Sequence, residues 1–258
     1  MAKNIYFLSD AHLGMHPLQK SEEREKLLVK WMDFIKNDAS EVYFLGDIFD
    51  FWYEYKKAIP KGFTRFLGKL LEFQDDNIPV YYFTGNHDVW SYGYLNEAFG
   101  VTIFNEAIVK EFSGKKFFMA HGDGIGPGDK GYLFLKWAFH NKFLQWMFSR
   151  LHPNFALGLG QLWSKNSRLA KGVYANYKGK DEWLIQFARE KIKKEHFDYF
   201  VFGHRHLPIQ LKLDDFSEFI CLGDWIVHFT YAVFDGNNMQ LKTFINQDKV
   251  NIIRSVEV

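Results

Sequence analysis

Short apolar runs recur along the chain, and each one ends abruptly in a cluster of polar groups. IYFLSDAH stops at Asp10 and His12, VYFLGDIFD at Asp47 and Asp50, and VYYFTGNHD at Asn86, His87 and Asp88. FFMAHGD follows with His121 and Asp123, and YFVFGHRH closes the series with His204 and His206. Apolar runs of this length, rich in β-branched and aromatic residues and bounded by Gly, Asp or Asn, read as buried strands. Between the early runs lie helix-period stretches at about 20–38 and about 62–76, the second with Phe66, Leu70 and Phe73 on one face. Strands alternating with helices predict a layered α/β fold, whose ligands collect at the carboxyl ends of the strands.

After about residue 205 the pattern turns to strand and turn: PIQLKLDDFSEFICLG, then YAVFDGNNMQLKTF with DGNN as a hairpin signal. This predicts a second, more antiparallel sheet, hence two mixed β-sheets packed face to face with flanking helices. Residues 125–195 break the rhythm, being helical in period and rich in Trp, Phe and Leu. They are too long for an ordinary connection and predict a helical insertion, a lid over the strand tips. The core is then 1–124 with 196–258, and the lid 125–195.

Composition narrows the partners. Across 258 residues, 32 basic against 31 acidic side chains leave a net charge of +1, which argues against a protein that tracks a nucleic-acid backbone. The single Cys221 excludes an intrachain disulfide framework and a cysteine-rich zinc site, and fits a reducing compartment. The start, MAKNIYFLSD, enters a strand directly with no signal segment, and no apolar run approaches the roughly 20 residues of a membrane span, so a cytoplasmic protein is expected. Aromatic residues reach 19%, more than a core alone suggests, and point to apolar surface facing a ligand or bilayer.

The tips supply Asp10, His12, Asp47, Asn86, His121, His204 and His206: oxygen and nitrogen donors with no thiolate. That set suits divalent first-row metals such as Mn, Fe, Zn or Co. Seven donors exceed one ion's needs but serve two, with a carboxylate shared between them. Asp47 is the natural bridge, because a carboxylate has two oxygens to share. His87 would then donate to a phosphoryl or leaving-group oxygen, and Asp88 would orient it and hold its proton. A lone histidine is more often structural, but five of the ten fall in these tips, each behind an apolar run. Asp50 and Asp123 read at least as well as turn-stabilising residues or supports behind the ligands as they do as direct participants in catalysis.

The blocks D-A-H, G-D-I-F-D, G-N-H-D, H-G-D and G-H-R-H resemble those of the calcineurin-like metallophosphoesterases. The resemblance implies a two-sheet sandwich, one metal on Asp10, His12, Asp47 and His206, and a second on Asp47, Asn86, His121 and His204. GDIFDFW, HGDGIGPGDKGY, NSR within the insertion, and GHRHLP followed by CLGDW are further similar to the UDP-2,3-diacylglucosamine hydrolases. That likeness implies Mn²⁺-dependent cleavage of a diacylated sugar nucleotide to UMP and 2,3-diacylglucosamine 1-phosphate, a step of lipid A biosynthesis. It also implies substrate contacts at Asp129 and Ser167 alongside Asn86 and His204, with Tyr132 at an aromatic position. Three positions depart: His87 stands where those hydrolases carry Arg, and Lys171 and Tyr174 where they carry Asn and Lys.

A lipid-linked substrate agrees with the insertion itself. Phe134, Trp137, Phe139, Phe143, Trp146, Met147 and Phe148 could line a groove for acyl chains, with Lys136, Lys142, Arg150, Lys165, Arg168 and Lys171 against phosphates or anionic headgroups. The alternative is that these aromatics pack helix on helix. The expected location is peripheral, at the inner surface of the membrane. Two other readings stand beside this one: a metallophosphoesterase of another phosphomonoester or phosphodiester, and a non-catalytic scaffold.

Overall fold

The computed structural model describes residues 3–15, 20–126, 136–171, 176–245 and 250–255, and the side chains of these outside 167–171. Its central strands are apolar on both faces because each face has its own partner layer. In β1 (Asn4–Leu8) and β2 (Ala39–Leu45), Tyr6, Leu8, Val42 and Phe44 face one core while Ile5, Phe7, Tyr43 and Leu45 face another. The period-2 alternation of a pleated strand sends neighbours to opposite sides. Helices α1 (Ser21–Ile35) and α2 (Thr64–Asp75) close the first core with Leu28, Trp31, Met32, Phe66, Leu70 and Phe73.

The first sheet has six strands in the order β11-β10-β1-β2-β3-β4, with β3 at Val80–Phe83, β4 at Thr102–Phe104, β10 at Thr230–Phe234 and β11 at Met239–Thr243. The second has five, β5-β6-β7-β9-β8: Ile108–Phe112, Lys115–Ala120, Tyr199–Phe202, Glu218–Leu222 and Pro208–Lys212. Both sheets are mixed. β1, β2, β3 and β4 run parallel, as do β6, β7 and β9, while β10, β11, β5 and β8 pair antiparallel. A short helix α3 (Tyr94–Phe99) leads into β4.

Two boundaries differ from the sequence reading. The DGNN hairpin joins β10 to β11 in the first sheet, not the second, where β10 lies beside β1. The reason is burial: Tyr231 and Val233 enter the outer core and Ala232 and Phe234 the inter-sheet core, so β10 needs covering on both sides. Turn chemistry is local and carries no information about which sheet receives the hairpin. The second correction concerns the end of the insertion. Helix α6 (Trp183–Ile192) buries Leu184, Ile185 and Ala188 against Phe118, Phe200 and Phe202 of the second sheet, so it is a flanking helix of the core. The helices over the tips are the narrower set: helical residues 136–140, α4 (Lys142–Phe148) and α5 (Pro153–Lys171). Asn141 caps α4 by accepting from the Phe143 and Leu144 amides at 3.0 and 3.2 Å.

Candidate metal centre

Five parallel strands, β1, β2 and β3 from one sheet and β6 and β7 from the other, deliver their carboxyl ends to one spot. The tips are stitched together through backbone: the Asp10 amide donates to Gly46 O, His12 to Asp47 O, and Gly203 to His121 O, at 3.0, 3.0 and 2.9 Å. The chain reverses so tightly here that Asp10, His12, Asp47, His204 and His206 all adopt positive φ, between 44° and 66°. For non-glycine residues that conformation is strained by about 1–3 kcal/mol each, and it persists where surrounding structure over-determines it. Gly85 shows why glycine precedes a donor: a Cβ there would run into the Asp47 carboxylate.

Donor atoms crowd toward one another at the tips. Asp47 Oδ2 lies 3.7 Å from His12 Nε2 and 3.4 Å from His121 Nε2, between the two rings. His206 Nε2 is 3.3 Å from His12 Nε2 and 3.4 Å from Asp10 Oδ1. Asp10, His12 and His206 form one group with all donor atoms within 4.8 Å, and Asp47, His121 and His204 a second. Asp10 Oδ1, Asn86 Oδ1 and His121 Nε2 are enclosed and have no hydrogen-bond partner. A buried polar atom without a partner costs about 1–3 kcal/mol, and such atoms at the strand tips are what cations would satisfy. Oxygen and nitrogen ligands about 2.0–2.2 Å from one ion stand roughly 3–3.6 Å apart, and the separations of 3.3, 3.4 and 3.4 Å above fall in that range, with His12 to Asp47 at 3.7 Å just beyond it. The residues therefore fit divalent metal ions.

Protonation is arranged to the same end. Burial pushes the His12 and His204 imidazoles down to about 4 and about 3, leaving lone pairs to donate. Burial works against the Asp47 charge, but His121, His87 and His12 outweigh it and hold the carboxyl well below its usual range. Neutral imidazoles and ionised carboxylates are the forms that bind metal. Three ligands depart from this: burial lowers His121, yet Asp47 raises it to about 10; burial lowers His206, yet Asp10 and Asp224 raise it; and burial raises the Asp10 carboxyl. A proton on His121 Nε2 would find Asp47 without hydrogen-bond geometry, whereas the Nδ1 of that ring donates to Leu45 O at 2.7 Å.

Backing groups fix the other rings. His12 Nδ1 lies 3.3 Å from Asp50 Oδ1, and His206 Nδ1 3.7 Å from Asp224 Oδ2, which also receives His228 Nδ1 at 2.7 Å. Burial works against the Asp224 charge, yet the His206 and His228 partners hold the carboxyl well below the usual range. Asp224 carried no assigned role in the sequence reading, although ICLGD repeats the signal of a strand ending in Gly-Asp. The Asp50 carboxylate thus stands beside His12.

Asp88 is corrected. Its carboxylate receives the Ile48, Phe49 and Gly85 amides at 2.9, 3.3 and 2.7 Å, together with the Tyr82 hydroxyl, and does not touch His87. It pins the turn after β2 to the turn after β3. Burial, then the Asp47 charge, push it up to about 6 despite those donors. The ring of His87 is held instead by Asp50 O at 2.9 Å and Ser164 Oγ at 3.0 Å from its Nδ1. A ring nitrogen of His87 also falls within 4.8 Å of donor atoms of His12 and Asp47, so this ring adjoins the cluster.

Over the tips, the lid aromatics divide. Phe139 and Phe148 pack on Phe51, Tyr53 and Trp90, as helix-on-core packing requires. Trp137, Phe143, Trp146 and Met147 are 57, 64, 52 and 49% exposed, joined by Phe155, Leu159 and Leu162. Lys136, read as a phosphate contact, pairs with Asp123 at 2.8 Å and ties the lid's first helix to the β6 tip. Asp129, Tyr132 and Phe134 lie outside the described residues, as do the side chains of Ser167, Arg168 and Lys171 on α5.

Comparison with known proteins bears on this geometry. Residues 3–208 match the family model described as calcineurin-like phosphoesterase. A UDP-2,3-diacylglucosamine hydrolase of Porphyromonas gingivalis is 37% identical over 257 residues, covering 94% of this chain and 98% of that protein. Proteins of the same name from Vibrio atlanticus and Actinobacillus succinogenes are 26 and 27% identical, covering 92 and 85% of this chain and 96 and 91% of theirs.

Proposed function

Because the chain belongs to the calcineurin-like phosphoesterase family and is a metal-dependent phosphoester hydrolase, we propose that it cleaves the pyrophosphate of UDP-2,3-diacylglucosamine, releasing UMP and 2,3-diacylglucosamine 1-phosphate. The observation that carries this reading is Asp47 Oδ2 standing between His12 Nε2 and His121 Nε2, at the meeting point of two donor groups. Asp10, His12, Asp47 and His206 would hold one ion, and Asp47, Asn86, His121 and His204 the other, with Mn²⁺ the metal expected. Such a pair supplies Lewis acidity toward phosphoryl oxygens and an activated water.

The chain's own residues do the rest. Strand tips locked by backbone bonds keep the donors from drifting, so little reorganisation is left for the reaction. One phosphorus–oxygen bond of the diphosphate breaks, its electron pair going to the departing oxygen, while a water oxygen bonds phosphorus and releases its proton to solvent. His87, anchored through Nδ1 at Asp50 O, turns its other nitrogen toward the cleft to donate to the departing oxygen. The lid's exposed Trp137, Phe143, Trp146 and Met147 would meet acyl chains and the membrane surface from which the substrate comes. The contact we propose is peripheral; no helix among the described residues is long and apolar enough to cross a membrane.

The test is UMP release from UDP-2,3-diacylglucosamine by the full chain with excess Mn²⁺, abolished by chelation and reduced about 10²-fold or more in His87→Ala. Hydrolysis of soluble phosphodiesters without UMP release from the lipid would replace the substrate while keeping the reaction.

A further inference from the structure

The lid helix α5 presents its smallest residues to the core at four-residue spacing: Ala156, Gly160 and Ser164, of which Ala156 and Ser164 are fully buried. Residues four apart share one face of a helix. The middle one permits contact, since a Cβ on Gly160 would run into the ring of Phe51, which packs in turn on Trp90 and Phe148. One turn further along the same face, Ser164 reaches the catalytic cluster. Its hydroxyl donates to Asp50 Oδ1 at 3.1 Å and stands 3.0 Å from His87 Nδ1, with the Trp163 ring 5.6 Å from that of His87.

A serine hydroxyl has one proton and two lone pairs. With the proton on the Asp50 carboxylate, a lone pair remains for His87. Both oxygens at His87 Nδ1, Ser164 Oγ and Asp50 O, then accept, which keeps a proton on Nδ1 and turns Nε2 to the cleft. The carboxylate that Ser164 steadies is also the one 3.3 Å from His12 Nδ1, so a single lid hydroxyl braces two rings.

We propose that Ser164 is a positioning residue for His87, and that docking of the lid helix through Gly160 on Phe51 brings its hydroxyl into place, coupling lid closure to proton delivery. The proposal rests on the reading of His87 as the donor to the departing oxygen. In that step a ring protonated at both nitrogens gives its Nε2 proton to the oxygen that leaves phosphorus and ends as the neutral form that keeps the Nδ1 proton.

The experiment compares wild type, Ser164→Ala and Ser164→Thr, full length and Mn²⁺-loaded, on UDP-2,3-diacylglucosamine. Ser164→Ala should lower kcat about 10- to 100-fold with KM within about 2-fold, and Ser164→Thr, which keeps the hydroxyl, should return to within about 3-fold. Long-range ¹H–¹⁵N spectra of histidine-labelled protein in its zinc form give the second readout: His87 protonated at Nδ1 in wild type and Ser164→Thr, and shifted toward the other tautomer in Ser164→Ala. An unchanged kcat, a threonine variant as slow as alanine, or a His87 signal indifferent to position 164 would overturn the proposal. If wild type itself releases no UMP, the substrate reading fails, and the His87 spectra still decide for or against Ser164.

Discussion

The strand tips and the lid helices above them are built on opposite principles. At the tips, Asp10, His12, Asp47 and His121 are at most 3% exposed, and the backbone is held in conformations that most residues avoid. On the lid, Trp137, Phe143, Trp146, Phe155 and Leu162 each leave half or more of their surface in solvent. Chemistry needs donors that cannot move, so the fold spends core strands and strained turns on holding them. Under the proposed function, capture of acyl chains would use surface that the protein has not already satisfied, such as Trp137, Phe143 and Trp146, whereas Phe139 and Phe148 pack on the core. The two are joined at few points: Phe139 and Phe148 on Trp90, Lys136 on Asp123, and Ser164 on Asp50 and His87.

The largest effect should come from the tips. Asp47→Asn keeps the carboxamide oxygen for the His87 amide but removes the charge between His12 and His121, and is expected to cost about 10³-fold in kcat with loss of bound metal, measured by elemental analysis. Should Asp47→Asn keep full metal and activity, the tips are not the centre. Next, Phe148→Ala removes a ring that packs on Phe51, Tyr53 and Trp90, and should lower stability to urea by about 2–3 kcal/mol if the lid folds with the core. A separate, early lid transition with an unchanged main midpoint would mean that the two regions unfold independently.

Asp224→Asn tests the support behind a ligand. It keeps shape and loses the charge facing His206 and His228, and should weaken metal affinity about 10- to 100-fold in a chelator competition, with kcat at saturating metal changed much less. The smallest effect on stability belongs to the lid surface. Phe143→Ser with Trp146→Ser should leave unfolding within about 0.5 kcal/mol per residue, yet raise KM for the diacylated substrate about 10-fold and abolish sedimentation with anionic liposomes at low salt. If sedimentation survives, the exposed aromatics are not the membrane contact.

What could be read from the chain follows the same division. The donors that converge, Asp10, His12, Asp47, His121, His204 and His206, were legible because each follows an apolar strand, and strand ends in a parallel sheet must share an edge. Asp224 stood behind the same signal and was passed over because its partners, His206 and His228, come from separate turns. Asp88 was misassigned because adjacency in sequence suggested contact with His87. A tight turn sends successive side chains to different sides, and Asp88 found the amides of Ile48, Phe49 and Gly85 instead. Ser164 gave no signal at all: one serine in an amphipathic helix looks like any other until the helix is docked.

By itself the sequence determined the layered α/β class, the strands with two apolar faces and the inventory of donors, because periodicity and residue chemistry are local properties. Only the tertiary structure decided which sheet received the DGNN hairpin, which helix belonged to the core and which groups stand behind each histidine. Those are contacts between residues tens of positions apart, such as His87 with Ser164, and they are fixed by which faces must be covered when the layers close rather than by any pattern along the chain.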